Sequence, residues 1–275
     1  MPFSMETVFL PLAFLVGACV GSFINVVVYR LPAGLSLIHP PSRCPHCHTR
    51  LKAKDNIPIF GWLWLRGKCR YCGAPISWRY PTIEFFTALL FTALVWRFAP
   101  DFTLPRLVML CAFASWLLSL ALIDLDTETL PNSLTQSGLV LGIFYQALES
   151  SNGRELAQKL IASTIGIVAG VWSLSLLGLV MSAVLGKEAM GGGDPKLLAM
   201  IGAWLGWQQV IITVLLASVG GLIFAGISRL LGSSLQKIRF GPFLTIGGLG
   251  ALFCGQYLTE QYLLWFNVFG LTDLY

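Results

Sequence analysis

Two short acidic stretches and four paired cysteines are the residues of this chain whose types and spacing can do chemistry. The first acidic stretch holds Asp124, Asp126 and Glu128 and ends at Leu130-Pro131-Asn132; the second runs Met190-Gly191-Gly192-Gly193-Asp194-Pro195-Lys196. Each lies at the end of an apolar run, where an ionisable residue is costly and marks a functional candidate. Two carboxylates that share a site cannot both ionise easily, so one keeps a proton while the other is charged. The anionic member can take a proton from water while its partner donates to a carbonyl. That is peptide hydrolysis without a metal or a covalent intermediate, and Asp124 and Asp194 are the pair expected to perform it. Gly191 and Gly193 would supply backbone freedom and room for an extended substrate. Together with Pro195 they predict a non-helical segment, tolerable at membrane depth only where it lines a cavity or is buried in protein. Lys196 reads as a snorkelling charge, and Asp126 and Glu128 as a solvated interfacial turn. Glu84 either faces a helix bundle opposite a cation or stands as a helix N-terminal carboxylate.

Four of the seven cysteines form two knuckles, Cys44-Pro45-His46-Cys47 and Cys69-Arg70-Tyr71-Cys72. Two such pairs at this separation can surround one Zn²⁺ tetrahedrally. Four cysteines leave no open ligand position, so the ion would be structural. His46 or His48 standing in for a cysteine is the lesser alternative. Arg43, Lys68 and Arg70 lie beside the thiols and are expected to favour thiolates. The segment has a thin core of its own, so metal binding would supply much of its folding energy. Cys19, Cys111 and Cys254 read as small packing residues within apolar runs.

The elements that must position these groups are membrane helices. The 275 residues are 56% hydrophobic and 11% charged, against about 25% charged in a soluble domain. Lipid is therefore the solvent for most of the chain. Spans are expected over residues 8–28, 83–98, 107–123, 134–148, 160–185, 197–205, 210–231 and 242–266, the sixth too short to cross unaided. A polar turn is expected over 149–159, and a helix break at Gly186-Lys187-Glu188. The first apolar run lacks a basic leader and reads as an uncleaved span. Gly17 and Gly21, Gly166 and Gly170, and Gly202 and Gly206 stand four apart and would let helices approach closely.

The net charge of +5 does not point to nucleic acid. Nine of the eighteen Lys and Arg residues fall between Arg30 and Arg79, opposed there only by Asp55. A loop this basic beside membrane spans reads as cytoplasmic. With eight spans and both termini outside, the inside loops also take Lys187, Lys196, Arg229, Lys237 and Arg239, leaving four cations outside. Both acidic stretches then fall at the cytoplasmic face. The fold class is accordingly an all-α polytopic membrane protein of about eight helices with a zinc-ribbon-like cytoplasmic loop. Its parts are a first helix over 1–29, the tetracysteine loop over 30–82 and a membrane domain over 83–275.

These residues occur in an order that resembles the type IV prepilin peptidases, the bifunctional prepilin leader peptidase and N-methyltransferase family, along essentially the whole chain. The resemblance is carried by Gly21 to Pro32, by Ser42 to Cys47, by Asn56-Ile57-Pro58, by Gly61 to Cys72 and by Arg79 to Glu84. Asp124 stands seven before Pro131, and Gly191 to Lys196 fits a GxGD motif with its trailing lysine. Gly241-Pro242-Phe243-Leu244 resembles a late family segment. The departures are Asn132, where the family often has aspartate, and Arg239, which replaces a frequent proline. The resemblance implies an aspartic endopeptidase of the bacterial inner membrane, with Asp124 and Asp194 catalytic and its site facing the cytoplasm. It implies prepilins or pseudopilins as substrates, cut after a glycine. It also implies S-adenosylmethionine as donor for N-methylation of the new terminus, a role tied to the tetracysteine loop. No Gly-rich strand-to-helix turn marks a methyl-donor site. A second reading is a transporter or channel whose aspartates bind cations and whose loop senses metal. Against it, both acidic motifs fall at one face and no matched half-repeat is visible.

Overall fold

The computed structural model describes residues 5–99, 103–187, 190–232 and 239–268. The chain divides into two compact units, residues 1–119 and 120–275. Among the described residues there are helices and two isolated bridges but no strand. The long helices are α1 (Met5–Arg30), α3 (Arg79–Phe98), α4 (Leu104–Thr127), α5 (Asn132–Leu148), α6 (Gly153–Leu185), α7 (Gly193–Leu205), α8 (Trp207–Leu230) and α9 (Gly241–Val268), with a short α2 (Phe60–Trp64) inside the cysteine loop.

Among the described residues, a helix thus stands at each of the eight places expected from the sequence. Five of these helices, α1, α3, α4, α6 and α8, are long and apolar enough to cross a membrane. Where eight spans are expected, the described residues supply five helices fit to cross, and α9, at 28 residues, has the length as well. The large apolar side chains of α6 and α8 are mostly exposed, among them Trp172, Leu179, Val184, Leu222 and Ile223. In water that surface would be a liability; in hydrocarbon it is the ordinary outer face of a bundle.

In residues 1–119, α1 packs along α3. Gly17 and Gly21 make this possible: a Cβ on Gly17 would meet the Ala88 Cα at 2.7 Å, and one on Gly21 the Glu84 Cα at 2.7 Å. In residues 120–275 the centre is α7, which packs against α5, α6, α8 and α9. At 13 residues it rises only about 20 Å against a hydrocarbon core of about 30 Å. It can be that short because other helices surround it: Leu197, Leu198, Met200, Ile201, Ala203 and Trp204 are all buried. Gly166 of α6 and Gly202 of α7 bring the two backbones into direct contact, and Gly170 lets α6 pass Leu198 and Ala199. All three four-residue glycine spacings therefore take part in close backbone approaches. Trp204 is locked by its indole N–H donating to the Gly138 carbonyl (2.8 Å), by the Gln146 amide donating to its carbonyl (2.6 Å) and by stacking on Tyr145. Gly166→Leu should force α6 from α7 and cost about 1–3 kcal/mol, because backbone cannot yield as a side chain can. A lowered melting temperature in detergent checks this.

Two local expectations are corrected. The polar stretch 149–159 is not one turn, because α6 begins inside it. Asn152 caps the helix by accepting from the Glu155 N–H (2.9 Å), and Glu155 returns the contact from the Ser151 N–H (2.8 Å). Lys159 then binds Glu155 and the Glu149 carbonyl, so these charges form the helix start. Likewise, the segment around Asp194 is non-helical only up to Gly192, since Gly193, Asp194 and Pro195 form the first turn of α7. Proline is tolerated there because a first-turn N–H has no helical partner to lose. The break before it occurs as expected at Gly186, a left-handed cap (φ 66°) on α6. Glu188, assigned to that break, and Lys237, assigned to an inside loop, lie outside the described residues.

Candidate functional site

The last turn of α4 carries Asp124, whose residue is 7% exposed. Against it sits the start of α9. A Cβ on Gly241 would lie 2.5 Å from Asp124 Oδ2 and 3.0 Å from its Cγ, so any side chain there would have to displace the Asp124 carboxyl. The start of α7 approaches the residues that follow Asp124. A Cβ on Gly193 would touch the Leu130 side chain at 3.0 Å, and Lys196 Nζ donates to Asn132 Oδ1 at 2.8 Å. Arg239, just before α9, donates to Glu128 at 3.0 Å. The end of α4 and the starts of α5, α7 and α9 are thereby drawn to one end of residues 120–275. Asp194, half-buried in the first turn of α7, lies at that end, as do Gly193 and the exposed Lys196. Gly191 and Gly192 have open space where a side chain would be and no positive φ. Gly193, by contrast, is closely packed on Leu130. Asp126 and Glu128 are exposed, and Glu128 turns the chain with φ 55°.

Three residues that sequence reasoning set aside take part in this geometry. Asn132 and Arg239 stood out only as departures from a family pattern, yet each supplies one of the polar contacts just described. Gly241 carried a signal of its own, a glycine directly before a first-turn proline, but nothing in the sequence linked it to Asp124.

In the other unit the four knuckle cysteines converge, with all four Sγ atoms within 4.8 Å of one another and Cys44 Sγ 3.8 Å from Cys72 Sγ. Four sulfurs at about 2.3 Å from one Zn²⁺ would stand about 3.8 Å apart, so the donor set fits that ion. The two knuckles repeat one backbone plan. Cys44 N–H donates to the Thr49 carbonyl and the His48 N–H to the Cys44 carbonyl; Cys69 N–H donates to Ala74 and Gly73 N–H to Cys69. His48 (φ 56°) occupies the left-handed position that Gly73 (φ 72°) occupies in the second knuckle. Neither His46 nor His48 belongs to the cluster.

The thiol electrostatics differ from expectation. Cys47 is lowered to about 6, first by the Thr49 hydroxyl and then by the Thr49 backbone, not by a neighbouring cation. Cys72 gains from the Ala74 backbone, but burial and its three sulfur neighbours outweigh this and raise it to about 11. Arg70 instead pairs with Asp55, whose carboxylate is 1% exposed and also receives the Tyr71 hydroxyl and the Lys52 N–H. Burial pushes the Asp55 carboxyl up, and those partners more than reverse it, holding it below the ordinary carboxylate range. Its stabilisation of the loop is therefore complete above that range and is lost as the pH falls through it. Of the remaining cysteines, Cys111 is half-buried, whereas Cys19 and Cys254 are exposed and do not fill the core.

Glu84 takes neither of the expected roles. It is 8% exposed, has no cationic partner among the described residues, and accepts the Ile59 N–H at 2.6 Å and the Ser22 hydroxyl. It ties α3 to the cysteine loop through Ile59, a β-branched residue held at φ 63°.

Comparison with known proteins agrees with this division. Residues 15–98 match the bacterial peptidase A24 N-terminal domain, and residues 111–226 match the type IV leader peptidase family. The chain is 40% identical to a prepilin leader peptidase/N-methyltransferase of Aeromonas hydrophila, across 92% of this chain and 93% of that protein. It is 38% identical to the protein of the same name from Dickeya chrysanthemi, across 85% and 88%. The corresponding protein of Stutzerimonas stutzeri is 38% identical, across 92% and 95%. No solved structure matches the chain.

Proposed function

Because the chain belongs to the type IV leader peptidase family, we propose that it removes the leaders of prepilins or pseudopilins and then N-methylates the new terminus. Asp124 and Asp194 are the hydrolytic pair. One, ionised, takes a proton from a water whose oxygen attacks the scissile carbonyl carbon. The other, protonated, donates to the carbonyl oxygen. As the C–N bond breaks, the amine leaves with a proton and the pair returns to its starting charge. The observation that carries this reading is the seating of Asp124 against the glycine start of α9, at the end where α7 begins with Asp194. Lys196 and Asn132 tie the α7 start to α5, and Arg239 and Glu128 tie the approach to α9 to the end of α4.

The concentration of cations between Arg30 and Arg79 supports a cytoplasmic site at the bacterial inner membrane. The four cysteines hold one structural Zn²⁺ that folds the loop. S-adenosylmethionine, when bound, supplies a methyl group activated by its sulfonium.

Purified protein incubated with a prepilin, with and without S-adenosylmethionine, tests the whole reading by mass spectrometry. Leader loss should occur in both samples and a further 14 Da, one methylene, only with the donor. An intact prepilin in both would overturn it. Gly241→Ala should lower kcat about 10²-fold with KM little changed, since displacing a reacting group by about 1 Å costs that much. Cleavage at the wild-type rate would remove Gly241 from the account.

A further inference from the structure

Within residues 1–119, a cavity of about 690 Å³ opens between the C-terminal turns of α1, the first turns of α3 and the cysteine loop. Its wall includes Asn25, Tyr29, Trp62, Tyr80 and Glu84, and the backs of the knuckles at Cys44 and Cys69. Its volume lies within the range of roughly 300–1,000 Å³ typical of small-molecule sites. Leader hydrolysis at Asp124 and Asp194 makes no use of it.

Glu84 gives the cavity its chemistry. A carboxylate this buried normally stands against a cation, and none of the described residues provides one. Its two donors, the Ile59 N–H and the Ser22 hydroxyl, orient it, while Arg30 on the same wall is engaged by the Ser36 and Pro40 carbonyls. The loop side of the contact is held in a strained backbone at Ile59, a conformation that persists only where its surroundings over-determine it. The remaining walls suit a flat heterocycle. Trp62 is fixed by its N–H bond to the Ile76 carbonyl (3.0 Å), and Gly67 lets the backbone lie against its ring. The Asn25 amide nitrogen is held by the Gly21 and Tyr80 carbonyls, each at 3.3 Å, which leaves its oxygen as an acceptor. A buried carboxyl with no cation against it, beside aromatic faces and an amide acceptor, is complementary to a ligand that joins a positive centre to an aromatic base.

We propose that this cavity binds S-adenosylmethionine, with Glu84 facing the positive charge of the donor and the aromatic walls taking its base. The assignment rests on the methyl-transfer reading above. It also explains why a metal site with no open coordination position should matter to methylation: the knuckles form part of the cavity wall.

Equilibrium binding to full-length protein in detergent or nanodiscs tests the assignment. Three ligands are compared: S-adenosylmethionine, S-adenosylhomocysteine, which lacks the sulfonium charge, and a pilin peptide with a free N-terminus. Glu84→Gln keeps an acceptor for Ile59 and should weaken S-adenosylmethionine at least about tenfold, and the neutral homologue much less. Val26→Phe, which fills the cavity from α1, should abolish binding of both nucleosides. Retained zinc and retained leader cleavage show that each variant is folded. Unchanged affinity in both folded variants would overturn the proposal, as would simple competition between the peptide and S-adenosylmethionine. If those results come from a wild type that still methylates, the cavity is wrong and the methyl-transfer reading stands. If the wild type neither binds the donor nor methylates, the reading itself fails and the cavity assignment falls with it.

Discussion

Asp124→Asn and Asp194→Asn should each lower leader cleavage by about 10³- to 10⁴-fold, the upper part of what a positioned acid–base group contributes. The expected size follows from how the pair works. Asparagine fills the volume of aspartate but neither takes a proton from water nor gives one to a carbonyl, so either substitution stops the cycle. Asp124 is buried against Gly241, and an isosteric amide keeps that packing. Asp194 sits in the first turn of α7, where the buried residues after it hold the helix whatever occupies this position. Both variants should therefore insert, keep one zinc per chain and elute as the wild type does. The effects should not add in the double variant, because two groups acting as one unit are lost together. Full cleavage by either purified single variant would remove that aspartate from the mechanism.

Cys44→Ser is expected to release the zinc and to abolish methylation, while leader cleavage continues. Structural zinc contributes about 10–16 kcal/mol in small zinc-dependent folds. The cysteine loop has little else to hold it: one short helix, two bridged knuckles and the Asp55–Arg70 pair. The knuckle turns exist to aim four sulfurs inward, so a hydroxyl at Cys44 removes a ligand that no other residue in the cluster replaces. Leader cleavage draws on residues 120–275, a unit with its own core around α7. Zinc analysis and the two product masses report all three quantities from one preparation. Equal loss of cleavage and methylation would mean that the loop is scaffolding for both activities.

Much of this arrangement was legible in the residues themselves, for identifiable reasons. Hydropathy located the eight long helices, though not the short α2 of the cysteine loop, because lipid imposes apolar runs on the segments it solvates. The paired glycines pointed to close helix approaches, though not to the partner helices, because a missing Cβ is what close approach requires. The cysteine pairs converged because two short knuckles leave few other arrangements. Where the reading stopped, the cause was contact between segments distant in sequence. Lys196 and Asn132 meet across 64 positions, and Arg239 and Glu128 across 111. No local period or composition encodes such pairs. Polar helix starts were also missed, since Asn152 and Glu155 look like turn residues until their capping bonds are seen. The cavity beside Glu84 was invisible for the same reason. Its walls come from α1, α3 and a loop with no periodicity, and the binding turn sought in the sequence belongs to a different fold.

One chain is proposed to carry two separable chemistries, hydrolysis at the aspartates and methyl transfer at the cysteine loop. The most direct measurement gives purified Asp124→Asn protein S-adenosylmethionine and two substrates, an intact prepilin and the same pilin already relieved of its leader, and weighs the products. The expected products are an unchanged prepilin and a pre-cleaved pilin heavier by about 14 Da, one methylene. Cleavage of the prepilin at the wild-type rate, or failure to methylate the pre-cleaved pilin by a variant that still holds zinc, would contradict that proposal.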